Sequence, residues 1–203
     1  MVYIEYISRR NGVDLARFQR VVGHVQSAWA AQHEDDVMVL NLGRTWRVGP
    51  DPEYMCVWHS PGKGPERIDQ WERTFRSGDA DDIEEPFHLA ARIDRAGFYE
   101  PLLEPVVGSA GRYYVERLDL APGAERHDVV VYFEERRAAR PDLELNLLVD
   151  GVGGLAPAPR GMAVWGLPTW GHLGAVATDL DDSDSPVRLV TAGLYADLGE
   201  EQL

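Results

Sequence analysis

The chain has 203 residues, 44% of them hydrophobic and 27% charged, a composition that supports a buried core and excludes a disordered or fibrous protein. Its 34 acidic and 20 basic side chains leave a formal charge of −14, which repels phosphate backbones and anionic lipid, so neither nucleic acid nor a membrane is an expected partner. A single cysteine, Cys56, excludes an internal disulfide and a Cys-rich zinc site.

Val2 to Ile7 is rich in β-branched and aromatic residues and reads as a strand closed by the turn pair Asn11-Gly12. Asp14 can cap a following helix, residues 15 to about 33, in which Leu15, Phe18, Val22, Val25 and Trp29 recur at helical spacing. Val37–Trp46 and Tyr54–Ser60 read as a hairpin around Val48-Gly49-Pro50-Asp51-Pro52, and within it Cys56 reads as a small buried side chain. A helix carrying Ile68, Trp71 and Phe75 follows, then an acidic loop, Gly78–Asp82, then a helical stretch from Phe87 to Leu103 broken by Pro101 and Pro105. No run approaches the ~20 apolar residues of a membrane span. The N-terminus lacks the basic and apolar regions of a signal peptide, so a cytoplasmic protein is expected.

After Gly108 the pattern restarts. Tyr3-Ile4-Glu5 matches Tyr114-Val115-Glu116, and Leu40-Asn41-Leu42 matches Leu145-Asn146-Leu147. Pro50, Pro52, Met55, Val57, Trp58 and Pro61 match Pro157, Pro159, Met162, Val164, Trp165 and Pro168 at one offset. The repeat reassigns Val129–Phe133, which has the composition of a strand, to the helix that contains Phe18 and Val22 in the first copy. Pro186–Leu198 closes the second copy as a strand. The expected class is therefore α+β, with two tandem ferredoxin-like βαββαβ units, 1–107 and 108–203. Their open sheet faces press together into a barrel-type core with the helices outside.

Tyr3-Ile4-Glu5, Val48-Gly49-Pro50 and Val57-Trp58-His59-Ser60-Pro61 resemble the NIPSNAP family of the dimeric α/β barrel superfamily. The second copy keeps Tyr114-Val115-Glu116 and Val164-Trp165 but has Leu155-Ala156-Pro157 in place of Val-Gly-Pro. The resemblance implies the fold and a broad range of functions: cofactor-free monooxygenases, lactone isomerases, polyketide cyclases, haem-dependent chlorite dismutases and peroxidases, and proteins with no known reaction.

Alternation along the strands divides the side chains into two rows. Because Leu40, Leu42, Met55 and Val57 are apolar in both copies, that row is assigned to the helix-covered face. The other row then lines a cavity between the sheets: Tyr3, Glu5, Asn41, Tyr54 and Trp58, with Tyr114, Glu116, Asn146 and Trp165. Glu5 and Glu116 are the candidate acids or bases, and Asn41 and Asn146 could stabilise an oxyanion or enolate. The competing reading makes these polar groups structural, paired with backbone or with Arg44 and Arg117. His59, whose parity points it at the helices, is a candidate at the rim.

A haem would need an axial ligand, for which His127 and His172 are the candidates. Glu84 and His88 have metal-ligand spacing but flank Pro86, and Gly151–Gly154 opens no helix, so no metal and no nucleotide site is expected. The expected function is a cofactor-independent isomerase, cyclase or monooxygenase acting on a largely apolar or aromatic metabolite, as a monomer or homodimer. A non-catalytic binding or interaction protein and a haem protein are the alternatives.

Overall fold

The computed structural model describes residues 1–45, 53–64, 66–77, 81–177 and 185–198, with the side chains at 71, 72, 74–77 and 81–84 outside that set. The Val48–Pro52 turn, the side chains of Trp71 and Phe75, and Gly78–Ala80 therefore lie outside the described residues.

The first half runs β1 (Val2–Arg9), α1 (Leu15–Gln32), β2 (Val37–Arg44), β3 (Tyr54–His59), α2 (Glu66–Ser77), α3 (Asp81–Ala90) and β4 (Ala91–Pro101). The second runs β5 (Arg112–Leu120), α4 (Arg126–Ala138), β6 (Glu144–Gly151), β7 (Gly161–Gly166), a 3-10 turn (Trp170–His172), α5 (Leu173–Ala177) and β8 (Val187–Asp197). Asp14 caps α1 by accepting from the Arg17 amide at 2.7 Å, and Glu125 with Asp128 forms a capping box on α4. Val129–Phe133 is helical, as expected.

One expected element is corrected. Of the stretch from Phe87 to Leu103 only Phe87–Ala90 is helical; α3 ends there and the chain continues as β4. Pairing with all of β1 supplies the hydrogen bonds that a helix would otherwise have satisfied locally. Asp81 and Asp82, expected in a loop, open α3.

All eight strands close one barrel in the order β1-β3-β2-β8-β5-β7-β6-β4. Each half contributes four consecutive strands, and the antiparallel β2–β8 and β4–β6 seams join them. The residue added at the β2 bulge is Val39 and at the β6 bulge Asn146, because Leu40 pairs with Val57 and Leu147 with Val164. Leu40 is thus equivalent to Leu147, and the expected match of Asn41 with Asn146 is two residues out of register.

The rows of side chains are also reversed from expectation. Val2, Ile4, Tyr6, Leu40, Leu42, Met55, Val57, Val164 and Met162 fill the barrel interior, not the helix-covered face. A closed barrel has no solvent to satisfy polar groups, so its lining is the most consistently apolar row. The outer face tolerates polar groups because the helices bring partners to it. At the barrel's centre Tyr6 and Tyr99 share a hydroxyl–hydroxyl bond of 2.9 Å. The guanidiniums of Arg117 and Arg95 lie 4.4 and 4.8 Å from the Tyr6 ring.

Among the described residues, no helix is long and apolar enough to cross a membrane.

Candidate functional site

The predicted site residues do not meet between the sheets. Tyr3, Glu5, Asn41, Tyr54 and Trp58 lie on the outer face of the first half and Tyr114, Glu116 and Trp165 on that of the second, while His59 and Asn146 belong to neither cluster. Glu5 lies opposite Cys56 and Ala96, and Glu116 lies opposite Ala163 and Ala192. The cross-strand neighbours of both carboxylates are thus small, and in the first half buried Gln26 of α1 donates to Cys56 beside Glu5. Tyr3 and Trp58 share a rung, as do Tyr114 and Trp165, and in each half the indole turns its N–H toward the glutamate. The distances are 3.4 Å for Trp58 Nε1 to Glu5 and 3.1 Å for Trp165 Nε1 to Glu116.

The helices treat the two glutamates differently. In the second half Arg136 of α4 reaches down to Glu116, with both guanidinium nitrogens 3.0 Å from the two carboxylate oxygens. Arg136 also donates to the Val176 carbonyl at 2.9 Å and lies about 5.1 Å from the rings of Phe133 and Trp165. Glu116 is 0% exposed and Arg136 4%. A bidentate, aromatic-walled ion pair of this kind occupies its space completely. Sequence reading missed Arg136, although it extends the buried α4 stripe of Val129 and Phe133.

Val25 of α1, eleven residues past its N-cap as Arg136 is past Glu125, stands in the equivalent place in the first half. Its side chain carries no charge and is too short to bridge to a carboxylate. Glu5 and Tyr3 are half-buried, and Tyr3 packs its ring 5.0 Å from Phe98. Burial, then the Glu5 charge, raises the Tyr3 phenol well above its usual range. The Cys56 thiol beside them is raised by burial and then by Glu5, which keeps it protonated and unreactive.

The remaining candidates are structural in their contacts. Asn41 faces α1, where its amide nitrogen donates to Gln26 Oε1 at 2.6 Å. Tyr54 packs on Phe18, ring centroids 4.3 Å apart. Buried Asn146 donates from its bulge to Glu144 at 2.7 Å and to the Val106 carbonyl at 3.3 Å. Burial, with Glu116 second, pushes the Tyr114 phenol up to about 12. His59 does not point at the helices. It pairs with Val2 in the barrel-facing row and is 5% exposed. Burial, and then the N-terminal ammonium, lowers its pKa.

No family model matches the chain. No curated protein matches it either. Solved structures do. A protein assigned as a chlorite dismutase aligns with TM-score 0.62 and 9% identity over 98% of this chain and 96% of its own. A protein assigned as a monooxygenase, from Lactobacillus acidophilus NCFM, aligns with TM-score 0.60 and 13% identity over 98% and 96%. A tryptophan-to-phenylalanine variant of chlorite dismutase from Candidatus Nitrospira defluvii, in complex with cyanide, aligns with TM-score 0.55 and 10% identity over 97% and 90%. The chain has a dimeric α/β barrel-type fold, with both halves of the barrel in one polypeptide.

Proposed function

We propose that this chain acts on a small, largely apolar or aromatic metabolite without a cofactor, as an isomerase, cyclase or monooxygenase, with Glu5 of the first half as its acid–base group. The observation that supports this reading is the broken symmetry of the two glutamate–tryptophan clusters. Arg136 pairs with Glu116 at both oxygens, whereas Val25, the residue at the equivalent position of α1, is uncharged. Glu116, committed at both oxygens to Arg136, is then a structural residue, and Glu5 the one that meets substrate. Tyr3, Trp58 and Phe98 supply an aromatic wall suited to a flat or apolar substrate. In such a step Glu5 removes a proton from carbon and returns it to another position or to solvent, with the Trp58 N–H steadying the carboxylate. The Tyr-x-Glu and Val-Trp segments that resemble NIPSNAP sequences are the ones that build this cluster.

The haem reading does not fit the residues present. His127 is exposed on α4 and His172 is held by Thr169 at 3.0 Å. Phe133, Trp165, Leu167 and Val176 pack together in the sheet-to-helix core of the second half, beside the ion pair. Neither candidate axial ligand, His127 or His172, lines the cavity of the second half.

The test is deuterium incorporation from D2O into a panel of apolar and aromatic ketones, lactones and β-dicarbonyl compounds, followed by mass spectrometry. Wild-type protein should exchange at least one compound, and Glu5→Gln should abolish exchange while retaining the native circular dichroism spectrum. If Glu5→Gln exchanges at the wild-type rate, the assignment of Glu5 is wrong. Saturable ligand binding with no exchange would instead favour the non-catalytic reading.

A further inference from the structure

The second half holds a cavity that lies away from the Glu5 cluster. It has a volume of about 260 Å³ and opens between the first turn of α4 and the ends of β5, β6 and β8. Leu118, Val129, Leu148 and Val187, all members of the sheet-to-helix core, form its apolar floor. Arg126, Asp150 and Arg160 stand at its edge. Asp119 and Arg188 also line it and are cross-strand neighbours of opposite charge.

The edge is richer in cations than a chain of charge −14 leads one to expect. Arg126 donates from Nε to Asp150 at 2.7 Å and from Nη1 to Glu100. The Glu100 arm is exchangeable, since the Glu100 side chain is 57% exposed and exposed pairs are weak. Arg160 donates to the Gly151 carbonyl and, among the described residues, has no carboxylate partner. The mouth thus presents one guanidinium that is held by Asp150 and has a replaceable second partner, and another that has no carboxylate partner among the described residues, above a hydrocarbon floor.

We propose that this cavity binds a small carboxylic acid with an apolar body, its carboxylate on Arg126 and Arg160 and its ring or short chain on the leucine and valine floor. The volume lies just below the usual ~300–1,000 Å³ of drug-sized pockets, which limits the body to one ring or a short chain. Guanidinium pairing selects the ionised acid over its neutral isostere. This site is independent of the Glu5 reading: it lies in the other half of the barrel and shares no residue with that cluster.

Methyl-resolved NMR titration of the full chain with benzoate, hexanoate and their primary amides tests it. Both acids should shift the methyl signals of Leu118, Val129, Leu148 and Val187, with the amides at least about tenfold weaker. Arg160→Gln should weaken acid binding by about tenfold or more with the spectrum otherwise native, and Glu5→Gln should leave binding unchanged. Failure of all four compounds to move these methyls at millimolar concentration would overturn the proposal, as would equal binding of acid and amide. Loss of binding in Glu5→Gln but not in Arg160→Gln would assign the ligand to the other cluster and overturn it as well.

Discussion

Glu116 and Arg136 meet through two contacts of 3.0 Å at a place that water does not reach, while the matching carboxylate, Glu5, has Val25 in the position of that arginine. One half has turned a glutamate into a bolt between sheet and helix. The other retains the glutamate, the tryptophan and the small flanking residues with no arginine at the equivalent helix position.

The bolt has a measurable signature. Arg136→Met leaves a buried, uncompensated carboxylate and should cost about 3–5 kcal/mol in urea denaturation. Adding Glu116→Gln removes the charge and should recover a large part of that loss. A double variant no more stable than Arg136→Met would show that the arginine acts through packing on Phe133 and Trp165 instead.

Val57→Asp should prevent folding, because Val57 is 0% exposed in the barrel interior and is flanked on its two neighbouring strands by the apolar Ile4 and Leu40. Circular dichroism and gel filtration report this directly. A folded, monodisperse Val57→Asp protein would mean that the barrel interior admits water.

Stability should fall at both extremes of pH. Burial lowers the pKa of His59 and of His33, favouring the neutral rings; their contribution is complete above the unfolded value near 6.5 and is lost as the pH falls through the lower folded values. His59→Gln should flatten the acid limb of the stability profile. On the alkaline side, burial pushes the Tyr113 and Tyr114 phenols up to about 12. Their contribution is complete below the unfolded value near 10 and drains between roughly pH 10 and 12. Urea midpoints measured across the two windows check both limbs; a profile flat from pH 5 to 11 would contradict them.

The fold was largely legible because its signals are local or repeated: the Asp14 cap, the stripe of Phe18 and Val22, and the offset linking Met55, Val57 and Trp58 to Met162, Val164 and Trp165. The helix over Val129–Phe133 could be read only through the repeat, by its match to Phe18 and Val22. β4 was not legible, since Ala91–Pro101 acquires its extended form from pairing with β1, a partner distant in sequence. The site was half legible. Tyr3, Glu5 and Trp58 do come together, but parity says only which residues share a face. Which face the helices cover depends on where polar partners can be supplied, and those partners, Gln26 and Arg136, sit on helices whose rotation the strand sequences do not encode. The bulges at Val39 and Asn146 occupy equivalent places in the two halves, so the match of Asn41 with Asn146 followed a shared Leu-Asn-Leu pattern that is not the structural register.

Val25→Arg tests the central claim most directly, because it gives the first half the arginine of the second. The account predicts a folded protein at least as stable as wild type, a guanidinium bridging Glu5 in its crystal structure, and loss of the deuterium exchange that wild type catalyses. Exchange at the wild-type rate in a variant whose structure shows that bridge would contradict it.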